Sequence, residues 1–417
     1  MKKEKIKIGY IGLGRRGYDV LRTSFSVMPD VEVAMLCDTY KPCLEKAQEL
    51  LKEQGGYEAV LTTNADDIFA NPEIDAVIIM TGWDDRVELV KKSMRAGKYT
   101  GVEVGCAFRL EECFELLEVY KETKMPVMML ENCCYGRLEM MALNLKDQGL
   151  VGEIIHCEGG YHHFLDVELL QETPKDHPHY RIQSYIDRNC ENYPTHELGP
   201  ICKVLGINRG NRMVTLSSFA SKTGGLKETA KHYCGEDSEY AKIDYKQADI
   251  VTTVITCANG ETVKICLDTT LPRAYYSRNF TVRGTKGLCE EGRRVAFFQG
   301  MKEGVENNLD EMYQKYDHPL WEEYRDIVSK EGHGGMDFLV CRAFVESVKN
   351  GTDTPIDIYD SLLLLAIAPL SEKSIQQGGV PVEIPDFTEG KWQDREPIIE
   401  SKYCLEKVCV DKETKIK

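Results

Sequence analysis

Long apolar runs, paired cysteine motifs and an excess of positive charge are all missing from this 417-residue chain, and each absence removes a class of function. No stretch approaches the ~20 apolar residues that a membrane-crossing helix needs. The opening Met1-Lys2-Lys3-Glu4-Lys5 leads into a short apolar run, Ile6 to Leu13, that contains glycines and lacks the length and small-residue cleavage site of a secretion signal. The expectation is a cytoplasmic protein with no membrane partner. Lysine and arginine number 52 against 68 aspartates and glutamates, a formal net charge of -16. Such a surface repels phosphate backbones and anionic headgroups, so nucleic acid is not an expected partner. The 16 cysteines contain no C-x-x-C followed by a second such pair. Most sit inside apolar strand or helix patterns (Cys37, Cys157, Cys257, Cys266, Cys341) and read as reduced, buried thiols.

The chain does have length enough for two domains, since one hydrophobic core stops growing at roughly 250–300 residues. Between Lys5 and Leu130, β-branched runs (Lys5–Ile11, Val31–Cys37, Ala76–Met80, Tyr99–Glu103, Val127–Leu130) alternate with helical patterns near Arg16–Val27, Lys41–Glu53, Arg86–Ala96 and Leu110–Thr123. This βαβ alternation predicts a parallel sheet covered on both faces. After a helical stretch near Leu138–Gln148 the pattern changes. Gly152–Phe164, Met213–Ser221, Ile250–Cys257, Thr262–Thr269 and Asn279–Gly284 read as strands of an open, mainly antiparallel sheet. Asn259-Gly260 suits a type I′ hairpin turn, in which both central residues take positive φ. Gly224–Lys246 and Met301–Lys330 read as polar loops over a cleft, and helices Met336–Lys349 and Asp360–Gln377 close the domain before a proline-rich tail, Val380–Pro397. The fold class is therefore α/β: a dinucleotide-binding domain of the Rossmann type at 1–131, then an α+β domain for substrate binding and oligomerisation at 132–417. A sheet with one uncovered face usually finds a partner, so a homodimer or homotetramer is expected.

Gly12-Leu13-Gly14-Arg15-Arg16-Gly17 follows the first strand and opens the first helix. The first glycine permits the tight turn, the second lets backbone approach a pyrophosphate, and the third lets helix and strand pack closely. The helix N-terminus then offers free N–H groups to that pyrophosphate. Asp38 stands just after the second strand, about 20 residues on, where an acid accepts hydrogen bonds from the adenosine ribose. It favours NAD and repels the 2′-phosphate of NADP, while Arg15 and Arg16 leave some room for NADP.

This combination resembles the glucose-fructose oxidoreductase and inositol dehydrogenase family. The strand that in most members ends in Glu-Lys-Pro reads Val102-Glu103-Val104-Gly105 here, and Asn192 replaces the aspartate of the family's Asp-x-Gly-x-His motif, while His196 remains. These departures resemble one branch, glycoside hydrolase family 109. The matching blocks are Glu131-Asn132-Cys133-Cys134-Tyr135, Tyr193-Pro194-Thr195-His196 with Gly199-Pro200, Ile207-Asn208-Arg209-Gly210, Gly332-His333-Gly334-Gly335-Met336-Asp337-Phe338 and Pro385-Asp386-Phe387-Thr388. The resemblance implies site positions at Glu131, Tyr161, Arg181, Tyr193, His196 and Tyr276, and cofactor contacts at Trp83, Glu103 and Asn132, with Lys98 along the same cleft. Members usually carry Thr-Pro-Trp-x-x-His where this chain has Thr81-Gly82-Trp83-Asp84-Asp85-Arg86, and glycine where Glu197 stands.

The resemblance further implies an NAD-dependent glycosidase acting on a small glycoside, with N-acetylgalactosaminides the best-known substrates. Sugar C3 is oxidised by bound NAD, the C2 proton is removed, the aglycone leaves C1, water adds, and C3 is reduced again. His196 suits the C3 hydroxyl, because an imidazole with an unperturbed pKa of about 6.5 can take up and return a proton at neutral pH. Tyr161 suits C2 if Arg181 lowers the pKa of its phenol, and Tyr193 is the other candidate. Arg181 and Glu131 can also serve only to orient sugar hydroxyls. His162, His163, His177 and His179 invite a metal reading, but neighbouring strand residues point to opposite faces and no i, i+4 histidine pair carries a glutamate base, so no metal is expected. His333 reads as a packing element. Two rival functions stay open: a net sugar or polyol dehydrogenase, against which the missing lysine argues, and a non-catalytic NAD or sugar sensor in which Arg86 marks a lost activity.

Overall fold

The computed structural model describes residues 5–170, 179–328, 332–398 and 401–409. The first sheet has six parallel strands, β1 (Ile6–Ile11), β2 (Val31–Cys37), β3 (Val60–Thr62), β4 (Ala76–Ile79), β5 (Tyr99–Val102) and β6 (Val127–Met129). Their order is β3-β2-β1-β4-β5-β6. Strands such as Ala76-Val77-Ile78-Ile79 are buried on every residue, as a sheet covered on both faces requires. The order reverses between β1 and β4, and a crevice opens beyond the carboxyl ends of strands at such a point. The short edge strand β3 carries exposed Val60 and Leu61, too brief for a periodic signal.

Helix α1 (Arg15–Thr23) springs from the glycine loop and gives way to a 3-10 turn at Phe25–Val27, which shortens the expected helix Arg16–Val27. Gly12 has φ +92°, and a Cβ there would lie 2.7 Å from the Met80 carbonyl carbon. Glycine is required, because an L side chain would meet both backbone strain and the neighbouring strand.

The second sheet has eight strands: β7 (Ile154–His162), β8 (Met213–Ala220), β9 (Ile250–Cys257), β10 (Thr262–Asp268), β11 (Thr281–Gly284), β12 (Gly287–Glu290), β13 (Val295–Phe298) and β14 (Val382–Glu383). They lie in the order β13-β12-β11-β7-β10-β9-β8-β14. Only the β7–β10 pair is parallel. The outer face is mixed: Lys264 pairs with Glu158 at 3.1 Å and Thr215 meets Thr256 at 2.8 Å, while Val254 and Phe219 are exposed beside them.

Three expectations are corrected. Only Gly260 of the Asn259-Gly260 pair has positive φ, +99°; the Cys257 carbonyl accepts from the Gly260 N–H at 3.1 Å, and the Cys257 N–H donates to Glu261 at 2.9 Å. The turn is thus a three-residue loop, for which one glycine suffices. Neither presumed loop is structureless: Gly225–Cys234 and Leu309–Tyr316 are helices, each with buried apolar residues. The helices Met336–Asn350 and Ile358–Gln376 reach back to the first sheet, where the Met129 N–H donates to Ser361 Oγ at 3.3 Å and Arg342 pairs with Asp30 at 2.7 and 2.8 Å. That return explains why Ile358–Gln376 is buried along most of its length.

Candidate functional site

The glycine loop fits a dinucleotide. No atom lies within 4 Å of the place a Cβ on Gly14 would take, so the backbone there is open to close approach. Gly14 is also the N-cap of α1 and brings no side-chain acceptor, leaving the N–H groups of the first turn to an outside anion. Asp38 is fixed beside the loop, accepting from the Leu13 N–H at 2.6 Å and the Tyr40 N–H at 2.8 Å. At the far end of the cleft Trp83 is buried with its Nε1 unpartnered.

Arg16 does not stand free for a phosphate. Its guanidinium donates to Asp337 at 2.7 and 2.9 Å and to Glu103 at 3.2 Å. Asp337 also accepts from Asn132 Nδ2 at 2.7 Å and meets His333 Nδ1 at 2.8 Å. Burial pushes the Asp337 carboxyl up, but the Arg16 charge and the His333 contact hold it well below the usual range. Two expected cofactor residues, Glu103 and Asn132, are thus tied through Arg16 and Asp337. Asp337, inside the block Gly332 to Phe338, joins them, a role its position in the sequence does not signal. Arg15 is exposed, 3.8 Å from Glu168. Lys98 lies away from the cleft, at the start of β5, where it donates to the carbonyls of Asn71 and Ile74 at 2.7 and 2.8 Å.

The expected site residues converge. His196 is the second residue of the helix Thr195–Val204, and its Nδ1 lies 2.8 and 3.0 Å from the two carboxyl oxygens of fully buried Glu131. Burial raises the pKa of Glu131, but the His196 charge and hydrogen bonds, including one from the Cys133 N–H, bring it below the ordinary value. An ionised carboxylate on Nδ1 holds the imidazole in one tautomer and leaves Nε2 for substrate. Close approach makes this possible: a Cβ on Gly199 would sit 2.9 Å from Glu131 Cγ, and one on Gly159 would sit 2.8 Å from Glu197 Cβ.

Around His196 lie Tyr193 and Tyr161, with ring centroids at 5.0 and 5.5 Å, the two phenols stacked at 4.4 Å. Arg181 caps this stack, its guanidinium carbon 4.2 Å from the Tyr193 ring centroid and 5.6 Å from that of Trp83. Tyr276, rather than Tyr275, meets Tyr161, at 6.3 Å. Arg181 is where the resemblance placed it, but the expected lowering of the Tyr161 pKa is not found. Burial raises that phenol well above its ordinary value, and the Arg181 charge offsets only part of the rise. The Tyr161 hydroxyl meets His163 Nδ1 at 2.9 Å, a partner that sequence reasoning treated only as a metal candidate. His162 and His179 are held near neutral form by burial, and His177 lies outside the described residues.

Glu131, Cys133 and His196 have ligand atoms within 4.8 Å of one another, the one such trio among the described residues. Burial pushes the Cys133 thiol well up. Arg86 is a brace. It is buried and donates to the carbonyls of Thr81, Glu103 and Val104, tying together the loops after β4 and β5. Glu197 is buried with both carboxyl oxygens unpartnered, as is Glu191. Burial pushes Glu191 up to about 8, partly offset by the backbone of Tyr193 and Leu267. Glu197 is raised well above the carboxylate range by burial and by the Glu191 charge.

Residues 135–394 match the model of the glycosyl hydrolase 109 C-terminal domain, and residues 6–131 that of an oxidoreductase family's NAD-binding Rossmann fold. The chain is 37% identical to a glycosyl hydrolase family 109 protein of Stenotrophomonas maltophilia, over 94% of this chain and 91% of that one. It is 36% identical to an alpha-N-acetylgalactosaminidase of Tannerella forsythia, over 94% of this chain and 88% of the relative. Among solved structures, a levoglucosan dehydrogenase complexed with NADH and levoglucosan superposes with a TM-score of 0.71 at 17% identity, covering 91% of this chain and all of that one. That likeness shows the fold.

Proposed function

As a member of the glycosyl hydrolase 109 family this chain is an NAD-dependent glycosidase, and we propose that its substrate is a small N-acetylgalactosaminide, cleaved by a transient oxidation and elimination at the site built around His196. The observation that carries this reading is the orientation of His196 by buried Glu131 beside the stacked phenols of Tyr161 and Tyr193. Bound along Gly12-Leu13-Gly14-Arg15-Arg16-Gly17, with Asp38 toward the adenosine ribose and Trp83, Glu103 and Asn132 toward its other end, NAD would supply a hydride acceptor for sugar C3 and a donor at the end of the cycle. Residues 1–131 form the cofactor domain in this reading, and 132–417 the substrate domain.

His196 Nε2 takes the proton of the C3 hydroxyl, and Glu131 stabilises the imidazolium that results. A carbonyl at C3 acidifies the C2 proton, which Tyr161 removes as the aglycone leaves C1. Tyr193 is the alternative base, but it too is a phenol raised by burial and has no histidine on its hydroxyl among the hydrogen bonds of the described residues. Arg181, Glu131, Tyr193 and Tyr276 orient the sugar. Arg16 acts on the cofactor side only through Asp337, Glu103 and Asn132.

The test is incubation with NAD and chromogenic glycosides of both anomers. Aglycone release that stops when NAD is stripped, with no net reduced cofactor, supports the reading. Reduced cofactor accumulating without aglycone makes the protein a net dehydrogenase, and neither signal on any sugar favours a sensor. A cytoplasmic location agrees with cysteines that form no disulfide among the described residues, and no helix among the described residues is long and apolar enough to cross a membrane. A homodimer or homotetramer through the outer face of the second sheet completes the proposal and is checked by light scattering.

A further inference from the structure

We propose that His163 is the proton acceptor behind Tyr161: as the phenol oxygen takes the proton from sugar C2, its own proton passes to His163 Nδ1. The proposal rests on the glycosidase cycle above and assigns a residue that cycle leaves unused.

The need for such a group follows from the burial of Tyr161. A phenol sealed from water and raised in pKa is protonated at neutral pH and has no oxygen charge with which to attack a C–H bond. It can act as a base only if its own proton leaves at the same moment. Of the groups that bear on its hydroxyl, Arg181 carries donors only. His163 Nδ1, at 2.9 Å, is an acceptor when its proton sits on Nε2. The His163 backbone N–H donates to the Asp268 carbonyl at 3.0 Å, and the ring stands edge-on to Tyr161 at 5.5 Å and to Tyr276 at 5.3 Å. Its position is therefore fixed on both sides.

The charged groups around His163 favour the neutral ring. Burial lowers its pKa, Glu168 opposes this, and the charges of Arg181, His196 and His333 lower it further. A neutral imidazole has the lone pair that the transfer requires. His196 cannot substitute, because its Nδ1 is held by Glu131 and its other nitrogen serves the C3 hydroxyl.

The step balances. The C2–H pair becomes the C1=C2 bond as the C1–O bond breaks and the aglycone oxygen leaves with its electrons. That oxygen takes a proton from water. The hydroxide left behind adds to C1, and a proton returns from His163 through Tyr161 to C2 after the pair has exchanged with the water that enters as the aglycone departs. Across the cycle one water is consumed and His163 is restored.

The experiment uses the full chain with NAD and 4-nitrophenyl N-acetylgalactosaminide of both anomers, in heavy water, for wild type, His163→Ala and His163→Asn. Three signals are followed: nicotinamide absorbance of the bound cofactor in a single turnover, deuterium entry at C2, and nitrophenol release. The proposal expects both variants to reduce the bound cofactor as wild type does. C2 exchange and release should fall by about a hundredfold or more, and added imidazole should restore part of the activity of His163→Ala. His163→Asn keeps a polar side chain, so near-ultraviolet circular dichroism matching wild type separates a chemical loss from a folding loss. C2 exchange within a few-fold of wild type in the folded variants, or a loss confined to cofactor reduction, would overturn the relay. A wild-type protein that neither reduces its cofactor nor releases nitrophenol would overturn the glycosidase reading and the relay with it.

Discussion

The helix Thr195–Val204 carries a buried charge-bearing residue near each end, and the two are treated in opposite ways. Near its C-terminus Lys203 donates to the Pro355 carbonyl at 2.6 Å, to Asp360 at 2.7 Å and to Glu406 at 2.8 Å. Arg209 joins the same carboxylates and adds Asp357 at 2.9 Å. Near its N-terminus Glu197 meets no hydrogen-bond donor, and Glu191 has no cation beside it, only the backbone of Tyr193 and Leu267 to offset its burial. A buried ion survives only when its desolvation is compensated by partners, whereas a buried carboxyl without partners takes up a proton. One end is thus a charged anchor, and the other is a neutral acidic pocket behind the residues that face substrate. The anchor lets His196 be placed firmly, and the pocket leaves its neighbourhood sensitive to pH.

Four variants break or sharpen this contrast. Lys203→Met at the anchored end should cost most, about 3–5 kcal/mol, because it leaves the buried carboxylates of Asp360 and Glu406 with Arg209 as their one remaining cation; denaturant unfolding measures it. At the other end His196→Ala should lower turnover by about 10²–10⁴-fold, with NAD still bound by fluorescence titration. Full activity in that variant would remove His196 from the chemistry. Glu191→Gln should act through pH. The folded-state pKa of about 8 lies above the ordinary carboxyl value of 4.5, so the native state holds a proton that the unfolded chain releases as pH rises. The stability this contributes is fully present below about 4.5 and declines through about 8, at up to about 1.4 kcal/mol per pH unit. The glutamine variant should flatten that decline in unfolding curves taken at several pH values. Glu197→Gln is the mildest, within about 1 kcal/mol of wild type at neutral pH, since both side chains are neutral there. A large loss would mean that Glu197 is ionised in the native protein, and the contrast between the two ends would fail.

The fold was legible where apolar runs were long. The strands from Ile6 to Ile11 and from Ile250 to Cys257 follow the alternating or continuous hydrophobicity of the chain. β3, β12 and β13 escaped because three or four residues show no period. The return of Ile358–Gln376 to the first sheet escaped because its apolar surface runs all round, so no face pointed to a partner. The grouping of Glu131, Tyr161, Arg181, Tyr193 and His196 came from the family resemblance, since these residues are scattered along the chain and only the fold joins them. His163 was within reach of simpler reasoning. Two residues beyond Tyr161 in extended chain, it shares that residue's side, although its place among four histidines suggests a metal instead. The bracing role of Arg86 was not legible for a related reason: the three backbone carbonyls it serves come together only in the fold.

The central claim is that a hydride leaves and returns to the same sugar while the C2 proton exchanges. The most direct measurement is the isotopic content of the sugar released from a C3-deuterated N-acetylgalactosaminide after turnover in ordinary water, and from the unlabelled glycoside in heavy water. The account predicts deuterium kept at C3 in the first case and gained at C2 in the second, with no reduced cofactor in solution. Aglycone release with C2 unexchanged would mean direct hydrolysis by a carboxylate pair, and loss of the C3 label to free reduced cofactor would mean a dehydrogenase.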